Sequence, residues 1–218
     1  FAAWGAVVDP AAPSPLVYAS YLGGTGSDGA FSVAVDSASR LVVSGQTRST
    51  NFPITANAFR ATLSGGADAF VTRISPSGAL DYSTYFGGSA ADTSENTKVA
   101  IGPDDRLHLV GFTQSTDLPA GTTPSPYQPA NAGGADVFVV KLWPEAPTPA
   151  QQVVFRTYLG GSGRDVGVTA VVDRLGRTYV GGLTESANFP VAGALSGTLS
   201  GLEDGFIARL SATGSALD

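Results

Sequence analysis

Tyr158-Leu159-Gly160-Gly161, followed by Asp165, decides the fold, because the chain carries this stretch three times. Tyr21-Leu22-Gly23-Gly24 precedes Asp28, and Tyr85-Phe86-Gly87-Gly88 precedes Asp92, at the same spacing. Asp28 and Asp92 lie 64 residues apart, Asp92 and Asp165 73. Self-similarity at a long period marks a repeat architecture, in which each unit buries its apolar face only against its neighbours.

Working outward, the copies align well beyond the glycines. After each Asp comes a small alternating run, at residues 30–36, 94–102 and 168–173. A second run ends in Gly45-Gln46-Thr47, Gly111-Phe112-Thr113 or Gly182-Leu183-Thr184. An apolar-Pro pair follows: Phe52-Pro53, Leu118-Pro119, Phe189-Pro190. A third run opens at Asp68, Asp136 or Asp204 and carries a cation at Arg73, Lys141 or Arg209. A fourth run leads into the next Tyr-x-Gly-Gly. In the first unit Phe31, Val33 and Val35 alternate with Ser32, Ala34 and Asp36, the period of a strand. Both faces are small or apolar, so both faces need cover, and a four-stranded meander stacked between like neighbours supplies it.

The expected fold is therefore all-β and of the β-propeller type, with three four-stranded antiparallel blades, no helix beyond two turns, and strand sharing at the termini. Residues 1–15 read as an N-terminal extension, and residues 16–218 as three units of about 16–80, 81–152 and 153–218. The first alternating strands should be innermost and the Tyr-rich fourth strands outermost. Residues 36–40 and 173–177 read as hairpin turns, since Asp bonds the backbone two residues on and Gly supplies positive φ. The insertion Trp143-Pro144-Glu145-Ala146-Pro147-Thr148-Pro149 should project from the rim, because proline cannot extend a ladder. The connections 48–67, 114–135 and 185–203 should share one face. Phe52, Leu118 and Phe189 should be buried anchors, and Phe189→Ala should cost roughly 3–5 kcal/mol.

The chain begins with a fourth strand, residues 17–22, and ends after a third, near Leu210. The ending Gly214-Ser215-Ala216-Leu217-Asp218 matches Gly78-Ala79-Leu80-Asp81, which leads into a fourth strand. Three units do not reach the four to eight blades of a closed propeller. The strand at 17–22 is expected to pair with the third strand at 204–210 of another copy or a related segment. The absence of methionine points to a processed product or a piece of a longer polypeptide.

Composition excludes several classes. A formal net charge of -6 and scarce lysine argue against a nucleic-acid partner. No apolar run of about 18 residues exists to span a membrane. Without cysteine there is no disulfide scaffold, thiolate metal site or cysteine nucleophile. Among repeated carboxylates, Asp28, Asp92 and Asp165 sit where a metal ligand or sugar binder could sit, but each copy supplies a single acid, and calcium sites gather several. Turn and packing roles are expected for them, and likewise for Asp68, Asp136 and Asp204. The cations Arg73, Lys141 and Arg209 should make contacts between blades. His108, the single histidine, lacks a nucleophile elbow and reads as structural or surface. Glu95 and Glu185 have no repeated partner with which to form a glycosidase pair. The Gly-Gly pairs lack the helix and Lys of a phosphate loop. No catalytic, cofactor or metal residue is assigned.

The ordered motifs resemble the SBBP repeat, a β-propeller repeat of secreted bacterial and archaeal proteins. The likeness runs over residues 16–218 and is close in the third copy, with Val172-Asp173, Tyr179-Val180-Gly181-Gly182 and Phe189-Pro190. The second copy departs most, with Gly102-Pro103 for the Val-Asp and Leu118 for the Phe. The resemblance implies a propeller, extracellular or cell-surface residence, and no catalytic residue. The expected function is an extracellular structural or adhesive module that assembles with itself or with related chains in a surface layer, sheath, filament or larger secreted protein. It is not expected to be an enzyme or to need a cofactor. The alternative is a propeller that recognises glycans or peptides through one loop face, with glycans or surface proteins as partners. A glycan-active enzyme comes third.

Overall fold

The structure, a computed structural model, describes residues 3–8, 16–92, 96–122 and 125–218. Thirteen strands are described: β1 (Ala3–Val8), β2 (Leu16–Leu22), β3 (Asp28–Val35), β4 (Leu41–Thr47), β5 (Asp68–Ile74), β6 (Leu80–Phe86), β7 (Lys98–Ile101), β8 (Leu107–Thr113), β9 (Asp136–Leu142), β10 (Val153–Leu159), β11 (Asp165–Val172), β12 (Thr178–Thr184) and β13 (Asp204–Leu210). A single 3-10 turn, Pro149–Gln151, is the helical content of the described residues.

The strands form two complete meanders, β3-β4-β5-β6 and β7-β8-β9-β10, then a three-stranded sheet β11-β12-β13 and a hairpin β1-β2. All neighbours are antiparallel. The expected three four-stranded blades are thus two, with a third blade of three strands. Its fourth position holds one bridge, Leu210 to Leu217, where Ile74 pairs with Leu80 in the first blade. No ladder joins the first and last sheets among the described residues, so no ring closes.

The expected extension at 1–15 contains β1, and strand 17–22 is not left unpaired. β1 and β2 pair as the third and fourth strands of a blade do. Ala3 faces Leu22, Trp4 faces Tyr21 and Val7 faces Tyr18, just as Ala69 faces Phe86, Phe70 faces Tyr85 and Arg73 faces Tyr82. The register skips one residue at the same place in all three pairs, at Val17, Asp81 and Val154.

Successive blades meet through their first strands. β3 lies against β7, and β11 against β7 and β8. This agrees with a small-residue inner strand. The first strand of the second blade is shorter than expected: it begins at Lys98, and Ser94 lies outside the described residues. Fourth strands carry the large rings. Tyr82 and Phe86 pack with Leu107, Leu109 and Phe138 of the second blade, and Phe155 and Leu159 pack with Val180 and Leu210 of the third. Burying such side chains contributes about 1.5–3 kcal/mol each, and this face-to-face burial holds blade to blade.

The turns are made as their residues dictate. Asp36 Oδ1 accepts from the Ala38 and Arg40 amides at 3.0 and 2.9 Å, and Asp173 Oδ1 from Leu175 and Arg177 at 2.9 and 3.0 Å. Gly176 and Gly78 take φ of 78° and 83°, conformations open to glycine. The Pro-rich insertion is mostly exposed, but it also reaches back: Glu145 lies 2.5 Å from Arg73 of the first blade.

Candidate functional site

Each repeated Asp after Gly-Gly is a buried knot. Asp28 accepts from the Gly24 amide at 2.8 Å, from the Ser49 hydroxyl at 2.7 Å, and from the Thr47 hydroxyl. Asp92 holds Gly88, Thr113 and Ser115 in the same way. Asp165 holds Gly161 and Ser186, at 2.7 and 2.8 Å. The carboxylate therefore ties the turn entering each first strand to the loop leaving the second. The structural reading of these residues fits this geometry. The first glycine of each pair is required by close approach: a Cβ on Gly160 would lie 2.6 Å from Asp136 Oδ1 and 2.7 Å from Asp165 Oδ2.

The second set of aspartates closes the long loops. Asp68 accepts from the Ser64 amide, Asp136 from Ala132 and Asp204 from Ser200, at 2.8, 2.9 and 2.6 Å. Burial pushes Asp92 up to about 6 against the three hydrogen bonds that favour its charge. Burial, followed by the neighbouring charge of Asp165, raises Asp136 to about 6. Oδ1 of Asp136 and Oδ1 of Asp165 are buried without a hydrogen-bond partner. No group of three or more acids or histidines close enough to hold a metal occurs among the described residues.

His108 is a core residue. Its Nδ1 meets Thr178 Oγ1 at 2.8 Å, joining the second and third blades, and burial pushes it down to about 3. Glu185 is exposed and 3.6 Å from Arg164, and Glu95 lies outside the described residues. The cations divide. Arg73 bonds Asp81 in its own blade at 2.6 Å and Glu145 in the next, whereas Lys141 stays in its own blade, 2.9 Å from Asp104. The expectation of contacts between blades holds for Arg73 and fails for Lys141, because the β7–β8 turn brings Asp104 closer.

The long connections do more than share a face. Residues 48–67 run along the outer edge of β6: the Thr55 amide donates to Ser83 O and the Tyr85 amide to Arg60 O, both at 3.2 Å. Residues 114–135 do the same for β10, through Thr122 to Val153 O and Tyr158 to Gln128 O. Each fourth strand is thus gripped on both edges. A tyrosine locks the grip. Tyr85 donates to Ser49 O at 2.7 Å and accepts from the Phe52 amide at 3.1 Å; Tyr158 does so with Ser115 and Leu118, at 3.1 and 3.2 Å. Phe52 and Leu118 are buried as expected.

In the third blade the same loop has no fourth strand to grip. A groove of about 640 Å³ lies between β13 and residues 186–200. Phe189 is only half-buried, against Phe206 at 4.6 Å, and its amide turns back to Ser186 O at 3.0 Å. Ile207 is 85% exposed, while its counterparts Val71 and Val139 are fully buried. Tyr21, the counterpart of Tyr85 and Tyr158, is 83% exposed. The serines and the Asn or Asp of Thr47-x-Ser49-x-Asn51, Thr113-x-Ser115-x-Asp117 and Thr184-x-Ser186-x-Asn188 complete these loops, and their recurrence is visible in the sequence.

No curated protein matches the chain. No described helix is long and apolar enough to cross a membrane. Residues 154–190 match the SBBP family, described as a beta-propeller repeat. This segment runs from β10 through the first two strands of the third blade to the Phe189-Pro190 anchor, so the likeness to that family falls on the third copy.

Proposed function

We propose that the chain is an extracellular structural module, without an active centre, that assembles with itself or with related chains into a surface layer, sheath, filament or larger secreted protein. The observation that carries this reading is the third blade, where the outer edge of β13 bears, among the described residues, only the Leu210–Leu217 bridge and the Asp218 amide bond to Arg209 O, beside a groove of about 640 Å³. Open edges next to exposed apolar residues pair with other chains unless they are blunted. Ile207 is such a residue, and no charged side chain of β13 other than Arg209 and Asp204 interrupts the strand. The polar chemistry that recurs in each copy goes into internal knots at Asp28, Asp92 and Asp165, which supports a scaffold role. Secretion is proposed from the family resemblance.

Sedimentation equilibrium over a hundredfold concentration range tests this reading. Assembly predicts a mass that rises with concentration to at least two chains. A constant single-chain mass up to high concentration overturns it.

A further inference from the structure

We propose that the junction between the second and third blades is a proton latch: Asp136 holds a proton on the oxygen that faces Asp165, and the junction loosens when that proton leaves. The junction lies inside the chain, so it operates whether or not copies assemble.

The fold forces the two acids together. Asp136 opens β9, the third strand of its blade, and Asp165 opens β11, the first strand of the next. A parallel bridge between Ala135 and Arg164 ties these strand ends across the junction, with the Asp165 amide donating to Ala135 O at 2.6 Å. Both carboxyls are fully buried. Asp136 Oδ1 and Asp165 Oδ2 border one point, the place where a Cβ on Gly160 would stand. Asp136 Oδ2 accepts from Gln128 Nε2 at 2.6 Å and from the Ala132 amide at 2.9 Å, but Oδ1 has no donor. Asp165 Oδ2 is taken by the Gly161 amide and the Ser186 hydroxyl. Its Oδ1 has no donor either, although Thr47 and Thr113 supply one to Asp28 and Asp92. Two buried carboxylates set face to face repel, and a proton on one removes a charge and provides the missing donor.

No cation answers this pair. Between the first and second blades, Asp68 and Asp92 stand in the same relation across Gly87. There Arg60 reaches in, its Nη1 donating to Gly87 O at 3.0 Å, and its charge favours ionised Asp68. Both oxygens of Asp92 also have donors. At the second junction Gln128 takes the place of Arg60. The amides of Arg60 and Gln128 donate to the fourth-strand hydroxyls of Thr84 and Thr157, and their carbonyls accept from the amides of Tyr85 and Tyr158. Gln128 brings no charge; its Oε1 accepts from the Gly160 amide at 3.0 Å. The surrounding ionisable groups are engaged elsewhere. Arg156 donates to Pro129 O and covers the Tyr158 ring, whose hydroxyl bridges Ser115 and Leu118. Arg164 lies over Phe112 and pairs with Glu185. His108 meets Thr178 near the start of β8, whereas Asp136 pairs with Thr113 at its end.

The consequence has a definite sign. Burial, followed by the charge of Asp165, raises Asp136 to about 6 from 3.8, so the closed junction binds the proton more tightly than the open one. The proton's contribution to closure is complete below about pH 3.8 and is lost as pH rises through 6. Between pH 5 and pH 7.5 this linkage weakens closure about tenfold. The third blade is thus held more firmly in acid and slackens toward neutrality.

Two measurements on the intact chain, with a chelator present, test the latch: NMR titration of the Asp136 carboxyl carbon, and the hydrogen-exchange protection factor of the Asp165 amide. The carboxyl should titrate with a midpoint near 6, and the protection factor should fall about tenfold from pH 5 to pH 7.5. Asp136→Asn places a permanent N–H donor where the protonated oxygen stood, and should abolish that fall. Gln128→Arg, which brings in the cation of the first junction, should lower the midpoint. A midpoint near the ordinary 3.8, a protection factor that is flat in the parent, or one that falls as steeply in Asp136→Asn overturns the latch. So does a midpoint that drops when calcium replaces the chelator, which would make the pair a cation site.

Discussion

Replacing Phe52 by alanine measures how much a loop anchor stabilises a blade that holds its fourth strand, and Phe189→Ala measures the same anchor without one. Phe52 is 3% exposed, stacks on Phe70 at a centroid distance of 4.5 Å, and touches Tyr85 at 6.1 Å. Removing a fully buried ring leaves a cavity that the tyrosine lock prevents from collapsing, so the expected loss is about 3–5 kcal/mol. Phe189 keeps a comparable contact with Phe206, at 4.6 Å, but has no fourth-strand tyrosine behind it and is half-buried. The expected loss for Phe189→Ala in the dilute single chain is about half, roughly 1.5–2.5 kcal/mol. This corrects the larger cost expected from the sequence, where the three anchors looked alike. Urea unfolding, with the midpoint and slope of both variants compared with the parent, is the assay. Equal losses for the two variants, or a loss below about 1 kcal/mol for Phe52→Ala, would refute the reasoning.

Further outcomes follow from the buried ionisable groups and the contacts between blades. Asp92 and Asp136 are raised to about 6 from 3.8, so they bind protons more readily folded than unfolded. Their contribution to stability is fully present below about pH 3.8 and is lost as pH rises through 6; Asp92→Asn should therefore flatten the pH dependence of the melting temperature in that window. His108, depressed to about 3 from 6.5, has the opposite sign: its contribution is present above 6.5 and is lost as pH falls toward 3. His108→Gln should relieve that acid loss, and a parallel pH profile in both variants would contradict the assignment. A strong chelator should leave the melting temperature unchanged; a fall reversed by calcium would make the unpartnered oxygens of Asp136 and Asp165 a cation site. Glu145→Gln should cost less than about 1 kcal/mol, because Glu145 is 47% exposed and water screens its pairs with Arg73 and Arg40.

The blades were legible because their signals are local and recur. The alternating run around Val33, the Asp36 turn and the glycine after Ser77 each state a strand or a turn within a few residues, and three copies confirm one another. The Asp28 knot was also within reach, because Thr47 and Ser49 recur beside each aligned partner. The identity of β1 was not legible. Ala3-Trp4-Gly5-Ala6-Val7-Val8 lacks both the leading Asp and the cation of the other third strands, and it is defined by its register with β2. The role of the long loops was hidden for a related reason. Their backbone bonds to β6 and β10 join residues some 25 to 31 positions apart, and a backbone amide carries no residue signature. Lys141 shows the same limit: its alignment with Arg73 marks a position in the strand, whereas its partner is set by which turn comes near.

The open edge of β13 is the central element of this account, and hydrogen exchange of its amides tests it most directly. In the dilute single chain, the amides of residues 205–208 that face away from β12 should exchange rapidly, unlike their counterparts in residues 69–72, which are covered by β6. At concentrations where the sedimenting mass exceeds one chain, these amides should become protected to the level of residues 69–72. An assembled sample in which these amides of residues 205–208 still exchange rapidly would contradict the account.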